Sequence, residues 1–478
     1  MDFLINCKPW LRYDSQSIIP SLIIDSPSDI IFVDIADNEF LNKIGAAKWF
    51  EEMSKDAEVW HLKANECFNE EKFEESIFLY DRAIRCNPEI AVLYLYKASS
   101  CLRINAFYMA YETAELALEK NGDRENALLR MGKASYGMRQ WKKAANYFAS
   151  VLKEFRTNAE APKEFKRATA RLTEQEHGKY DFNGIFIESK RENPQFDIAD
   201  YSKPIEIANI PGKGRGIISS KDIQKGTLLT VSKSFSSGYS NDFDADLFNA
   251  SFNSGAIAHM QHELNTMQNL QKNPQISKEF YNLCCGDDAR QNEEIPSGII
   301  DAARIQRICV LNRFGSGEEG DKNGISDCHL FILPSYFNHA CLANAYRIDY
   351  GNVMIVFATD DIKKGDEICI SYINPLNNYL ERKKELSGWG FICQCELCEM
   401  DVKDPMYSER NEMWEEFKKF STEFLPKEII AKGEALLRKI RKSYINRNKY
   451  KVVLAELLWI LSSIQTGNTT TGSYKDYG

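Results

Sequence analysis

Small and large apolar residues recur through the first third of the chain at a period of 34. With Ala57, Ala91 and Glu125 as first positions, the eighth positions are Ala64, Ala98 and Gly132, the twentieth Ser76, Ala110 and Ala144, and the twenty-seventh Ala83, Ala117 and Val151. Small side chains in fixed register let paired helices approach closely, while Phe73, Tyr80, Phe107, Trp141 and Phe148 fill the space between them. Pro88 stands where the first helix pair must stop. The period predicts three stacked helix pairs over 57–90, 91–124 and 125–158, within an all-α region 55–178 that includes one following helix. Residues 1–54 fall outside this register and are set apart as an N-terminal extension.

Past Glu174 the helical spacing fades into Gly178, Gly184 and Pro194, which predicts a connector over 179–203. Alternation then takes over. Ile205 to Ile210 reads as a strand, Pro211 to Gly216 as a turn, and Ile217-Ile218 resumes the strand pattern. Two segments echo one another, Lys221 to Gly226 before Leu228-Leu229 and Asp361 to Gly365 before Ile368 to Ile370, and each is expected to be a hairpin turn leading into a strand. A polar, helix-like stretch over 244–307 interrupts the β pattern and is expected to be an insertion. Helical spacing returns with Trp414, Phe417, Phe420, Leu436, Leu437 and Ile440, so 401–478 is expected to be a C-terminal helical region. The fold class is therefore multidomain α+β: an all-α array, a mostly β domain over 204–388, a short tail over 389–400, and C-terminal helices.

Composition narrows the function classes. A net charge of −9 argues against direct nucleic-acid binding, which needs clustered Lys and Arg, and suits a basic protein substrate. The start Met1-Asp2-Phe3-Leu4 lacks the basic and apolar regions of a secretory signal, and the longest apolar stretch, Val452 to Ile464, contains Glu456 and is too short for a bilayer. No membrane partner is expected, and the setting is expected to be cytoplasmic or nuclear. Thirteen cysteines, an odd number, then point to a reducing compartment, where clustered Cys means metal more often than disulfide.

Three short segments carry candidate chemistry. Cys393-Gln394-Cys395-Glu396-Leu397-Cys398 places three thiols within six residues. A closed zinc site takes four tetrahedral ligands, so this cluster needs a fourth from elsewhere; spacing alone also allows buried, unliganded cysteine. Upstream, Ser335 to Asn344 holds Asn338, His339 and Cys341, and by itself an Asn-His pair is equally at home as a hydrogen-bonded core pair. Gly365 to Tyr372 then sets a tyrosine at a strand end.

In this order the pieces over Ile205 to Met400 resemble a SET domain: a glycine-rich turn, an Asn-His-x-Cys-x-x-Asn segment, a Gly-x-Glu-Ile strand ending in Tyr, and a post-SET cysteine cluster. The 34-residue units are similar to tetratricopeptide repeats. Together they imply an S-adenosylmethionine-dependent protein-lysine N-methyltransferase acting on histone or non-histone protein, with the repeats recruiting a substrate or partner peptide. The resemblance implies that Lys213, Gly214 and Arg215 hold the methionine part of the cofactor, that Asn338 and His339 contact its amino and adenine groups, and that Phe391 packs on adenine. Asn312 and Phe314, in Leu311-Asn312-Arg313-Phe314, are similar to a cofactor-contacting Asn and a channel Phe of the SET-and-MYND subfamily, and Ser335 and Trp389 join the lysine channel. Tyr372 matches the catalytic tyrosine and touches the cofactor as well. Cys341 matches the fourth ligand of one structural zinc ion, with Cys393, Cys395 and Cys398 as the other three.

Two positions depart from the family pattern. The usual Ser is Ala340 and the usual Pro is Ala343, so a repeat scaffold with a degenerate, non-catalytic SET domain is the alternative reading. No MYND-type zinc cluster is expected, since Cys284 and Cys285 are the only cysteines between Gly216 and Cys309. In the repeats, the positions matching a chaperone carboxylate clamp are His61, Asn65, Tyr96, Asn126 and Arg130; only Asn65 and Arg130 fit, so a chaperone tail is not the expected ligand.

Overall fold

The protein is represented by a computed structural model, which describes residues 55–191, 193–241, 254–286, 295, 298–315, 327–423, 425–444 and 447–465, with short pieces at 3–6, 10–13, 20–23, 30–33 and 42–43. The chain divides into two units, Met1–Phe165 and Lys166–Gly478. The first 54 residues, set apart in the sequence, contain two antiparallel strand pairs: β1 (Phe3–Asn6) with β4 (Ile30–Val33), and β2 (Trp10–Tyr13) with β3 (Pro20–Ile23).

Six helices follow as three pairs: α1 (Ala57–Asn69) and α2 (Phe73–Cys86), α3 (Ala91–Arg103) and α4 (Phe107–Glu119), α5 (Arg124–Gly137) and α6 (Trp141–Glu154). Asp56 and Asp123 cap two of the first helices by accepting from the backbone N–H of Glu58 and Asn126. The small residues of the register are where the helices meet: Ala64, Ser76, Ala83, Ala98, Ala110, Ala117 and Ala144 are all fully buried. Ser76 Oγ reaches Ser100 Oγ at 2.8 Å, which satisfies both hydroxyls inside the array. The turn inside each pair uses a left-handed residue in the same register, Glu71, Asn105 and Arg139, with φ of 61°, 59° and 59°. None of the three is glycine, so each turn is held in this shape by the helices it joins.

α7 (Ala161–His177) carries the chain into the second unit. The stretch expected to be a connector is a packed segment with its own helix, α8 (Phe182–Glu188), capped by Asp181. Ile185, Phe196 and Ile198 bury against Val231, Val353 and Ile355, so its apolar residues, too sparse to show a period, still anchor it to the β domain. That domain contains β5 (Ile205–Ile210), β6 (Gly214–Ser219), β7 (Leu228–Lys233) and β8 (Ser236–Tyr239), then α9 (Ser254–Lys272), α10 (Ser277–Tyr281) and α11 (Ala302–Asn312). After these helices come β9 (Arg313–Phe314), β10 (Asp327–Leu330), β11 (Asn338–His339), β12 (Ala345–Tyr350), β13 (Val353–Ala358) and β14 (Glu367–Ile370). Parts of the expected insertion, 244–253, 287–294 and 296–297, lie outside the described residues.

Three small sheets, in the orders β11-β14-β6-β5, β12-β13-β7 and β8-β10-β9, make up the domain. Ile217, Leu229, Phe331, Phe337, Met354, Val356, Ile368 and Ile370 form the core they share. The two echoing segments prove to be partners. Ile223 and Ile362 exchange backbone hydrogen bonds of 2.8 and 2.9 Å, Asp361 accepts from the Lys225 N–H, and Asp222 accepts from the Lys364 N–H, each at 2.9 Å. Gly226 and Gly365 take matching φ of 84° and 87°. The repeated sequence therefore encodes two turns that cross-brace each other through their aspartates, where two independent hairpin turns were expected.

The described residues close with α12 (Tyr379–Leu386), α13 (Glu396–Lys403), α14 (Tyr407–Glu423), α15 (Pro426–Ser443) and α16 (Val452–Gln465). The last three pack around Trp414, Phe417, Ile440, Leu457 and Ile460. Among the described residues, no helix is long and apolar enough to cross a membrane.

Candidate functional site

β11 is two residues long and pairs in parallel with β14, Asn338 opposite Cys369 and His339 opposite Ile370. This pairing fixes the Asn-His motif beside the strand that leads to Tyr372. The Tyr372 backbone N–H donates to His339 Nδ1 at 3.0 Å, and the two rings lie 5.3 Å apart. The Tyr372 hydroxyl donates to the Phe337 carbonyl, and burial above all pushes the phenol above the ordinary tyrosine range. A neutral phenol with its proton engaged leaves oxygen lone pairs for a second partner. Trp389 closes on the Tyr372 ring at 5.4 Å and Phe391 at 6.4 Å, edge on. Gly390 between them takes φ 75°, a left-handed conformation that suits glycine and lets both neighbours turn their rings to the same tyrosine. Both residues also stay more than a third exposed, 38% for Trp389 and 36% for Phe391, so they flank the tyrosine without being sealed into a core.

Asn338 sits against β6. Its Nδ2 donates to Glu367 Oε1 at 2.9 Å and faces the Arg215 carbonyl at 3.4 Å, and Lys213 Nζ pairs with Glu367 Oε2 at 2.6 Å. Glu367 thus ties the glycine-rich turn to the Asn-His motif, a role its place in the strand motif did not reveal. Asn344 is a second such tie: its amide donates to the Glu367 carbonyl and its Oδ1 accepts from the Cys369 N–H, both at 2.9 Å. Gly214 has φ 76° and nothing within 4 Å of where a Cβ would stand, so this turn is open to a ligand's close approach. Arg215 follows in the same turn. Its guanidinium covers the Tyr336 ring at 5.2 Å and donates to the Asn282 carbonyl.

Cys341, Cys393, Cys395 and Cys398 converge, with all four sulfurs within 4.8 Å of one another. Cys341 Sγ is 3.4 Å from Cys398 Sγ and 3.9 Å from Cys393 Sγ. Tetrahedral zinc with bonds of about 2.3 Å needs sulfurs roughly 3.8 Å apart, so the all-thiol set fits that ion. The contact with Cys341 holds the Cys393 thiol well below the ordinary range and brings Cys395 down to about 6, while Cys341 is pushed up by the same contact with Cys393. The thiols share protons among themselves, and a bound metal would displace those that remain. His339 Nε2 lies 3.3 Å from Cys341 Sγ, so one imidazole joins the sulfur cluster to the Tyr372 backbone.

Three further expected residues lie close to the same core. Phe314 packs edge to face on Phe331 at 5.7 Å and, with Tyr372, borders the shared core. Ser335 turns its hydroxyl onto the Phe331 carbonyl at 2.6 Å, so it shapes the turn before Asn338. Asn312 is buried, and its amide donates to the Cys284 and Ile308 carbonyls, each at 2.7 Å. It fastens the end of α11 to the Cys284 segment. At the substituted positions the Ala340 N–H donates to the Ile370 carbonyl and the Ala343 carbonyl accepts from Thr359 Oγ1, each at 3.2 Å, so the backbone of this turn is held from both sides.

The SET domain family model matches residues 214–373. A methyltransferase of Gibberella zeae is 25% identical over 476 residues, covering 92% of this chain and 64% of that protein. Histone-lysine N-methyltransferase SET5 of Saccharomyces cerevisiae is 30% identical over 156 residues, 31% of this chain and 27% of that protein. The first TPR domain of human RPAP3 is 27% identical, covers 26% of this chain and 97% of that one, and superposes with a TM-score of 0.25. The chain therefore spans less than two thirds of the length of either methyltransferase relative. The matched family residues begin at Gly214 and end just past Tyr372, enclosing the Asn-His pair and Cys341 but not the rings and thiols that follow. This chain, a homologue of methyltransferases, carries a SET domain over residues 214–373 behind helix pairs of the tetratricopeptide type.

Proposed function

We propose that this protein is an S-adenosylmethionine-dependent protein-lysine N-methyltransferase with one structural zinc ion, working in a reducing cytoplasmic or nuclear compartment. The reading is carried by one observation: inside a SET domain, Tyr372 is locked to His339 and flanked by Trp389 and Phe391. Lys213, Gly214, Arg215, Asn312, Asn338, His339 and Phe391 are the residues to hold the cofactor, and Cys341, Cys393, Cys395 and Cys398 those to hold zinc. When bound, S-adenosylmethionine supplies an electrophilic methyl group on a sulfonium.

The chain's own residues supply position and dryness. Tyr372 orients the incoming amine through its oxygen lone pairs, and its neutral hydroxyl avoids placing a buried negative charge there. Phe314, Ser335 and Trp389 border the path of the lysine side chain, whose alkyl stem suits aromatic walls. No strong base is needed at the transfer step if the amine arrives neutral, so proximity and water exclusion account for much of the rate. The substrate is a lysine-bearing protein, and the repeat array recruits it or a partner peptide.

The test is methyl transfer from radiolabelled cofactor to a protein or peptide array, with Tyr372→Phe as control. The variant is expected to keep its fold and cofactor affinity and to lose about 10²–10³-fold in transfer rate. Transfer by the variant at the parent's rate would overturn the assignment of Tyr372. Absence of cofactor binding by the parent in calorimetry would favour a non-catalytic scaffold instead.

A further inference from the structure

Beyond the sulfur cluster, the second unit buries a chain of ion pairs that the methyl-transfer reading does not use. Arg382, on α12, is 2% exposed at its side chain and pairs with Asp401 of α13 at 2.6 Å. The same Arg382 Nη2 faces Cys398 Sγ at 3.7 Å, while Nη1 donates to the Asn377 carbonyl at 2.7 Å. Asp401 passes the contact on, accepting from Arg447 at 2.6 Å through its other oxygen. Arg447 also reaches Asp404 at 3.2 Å and donates to the Tyr450 carbonyl at 2.8 Å. Arg410 of α14 completes the chain, with Asp404 at 2.9 Å and the Ser443 carbonyl at 2.9 Å.

The charges in this chain do not balance. Within this chain of pairs three buried guanidiniums face two buried carboxylates; of the charged groups nearby, Lys418 and Glu415 pair with each other at 2.6 Å and Lys449 with Glu396 at 3.4 Å. An excess buried cation is costly unless an anion answers it. Outside the ion-pair chain Arg382 meets the neutral Asn377 carbonyl and Cys398, one of four thiols which, once bound to zinc as thiolates, carry two negative charges in excess. Tyr450 and Val452, just beyond Arg447, pack on the sulfur cluster, so the route back into α16 runs over the same site.

We propose that Arg382, Asp401 and Arg447 form a relay coupling metal occupancy to docking of the C-terminal helices, with Arg382 the charge-compensating hydrogen-bond donor to metal-bound Cys398. The inference rests on the zinc reading of the four cysteines. Arg382 is a positioning residue: it orients and neutralises a ligand without binding the ion. Because binding free energies are reciprocal, whatever the metal contributes to docking, docking returns to metal affinity. Arg447→Met, which reaches the sulfurs only at second hand through Asp401 and Tyr450, should therefore weaken metal binding.

The experiment uses the full chain loaded with zinc, competed with a chromophoric chelator, and the same chain loaded with cobalt(II) for its thiolate charge-transfer band. Arg382→Met is expected to lower metal affinity by about 10- to 100-fold and to shift the band, with Arg382→Lys restoring part of both. Asp401→Asn and Arg447→Met are expected to lower affinity by smaller factors, and they decide the question if Arg382→Met does not fold. Chelation of the parent is expected to speed amide hydrogen exchange across α14 to α16. Parent-like affinity and band position in the variants, or unchanged exchange on chelation, overturn the relay alone. A parent chain that takes up no stoichiometric zinc overturns the metal reading and the relay with it.

Discussion

Gly216 lacks a side chain where Asn338 needs the room. A Cβ there would stand 2.5 Å from Asn338 Nδ2 and 2.7 Å from Ile210 Cγ1. Gly216→Ala must push one of them, and the terminal amide moves more easily than a branched residue of the neighbouring strand. Asn338 would then lose its line to Glu367 and to the Arg215 carbonyl. The expected result is a drop in S-adenosylmethionine affinity of about tenfold or more, about 1.4 kcal/mol, measured by calorimetry on the folded variant. Unchanged affinity would show that Asn338 does not hold the cofactor. At this scale the sequence was most legible where chemistry resides in residue type: Asn338, His339, Tyr372 and the four cysteines could be read from motifs, and the structure brings them together. It was least legible where a role depends on a distant partner. Glu367 and Asn344 act through backbone and side chains from other segments, and Arg382, Asp401 and Arg447 lie far apart in the chain with no period to link them.

Among the elements, the helix pairs show how a register turns into contact. Gly132 in α5 faces the Phe148 ring of α6, whose nearest carbon would lie 2.6 Å from an added Cβ. Two effects oppose each other in Gly132→Ala. Helix propensity favours Ala by about 1 kcal/mol, whereas overpacking a tight core costs about 1–3 kcal/mol. Phe148 is fully buried and has nowhere to retreat, so the clash should win. Faster hydrogen exchange over α5 and α6 in the variant is the expected readout; slower exchange would mean that the ring yields and propensity dominates. The period of small residues was visible in the sequence because every helix crossing demands the same size at the same place. The left-handed turns at Glu71, Asn105 and Arg139 repeat just as regularly but were invisible, since of the three only Asn105 is a residue type that favours a positive φ. The helix in the connector stayed hidden for a related reason: seven residues with Ile185 as the one buried side chain are too short to display a period.

For the molecule as a whole, stability should depend on pH through a carboxyl that the apolar C-terminal stretch carries with it. Glu456 stood out in the sequence as the one charge within Val452 to Ile464, and the structure buries it beside Leu457 in the core of α14 to α16. Its Oε2 finds no hydrogen-bond partner among the described residues. Burial raises its pKa from 4.5 to about 7, with Lys418 pulling the other way. A carboxyl whose folded pKa lies above its unfolded value binds more protons when folded, so folding is favoured at low pH and loses stability as pH rises. The loss begins near pH 4.5, grows up to about pH 7, and is complete above that. Its full size is on the order of 3 kcal/mol, at about 1.4 kcal/mol per pH unit. Glu456→Gln keeps the shape and removes the titration. Unfolding of the C-terminal helices, followed by hydrogen exchange at pH 5 and pH 8, should show little difference between parent and variant at pH 5 and a clear advantage for the variant at pH 8. An advantage of equal size at both pH values would mean that the parent carboxyl is not driven between charge states by folding, and that its cost lies in packing alone.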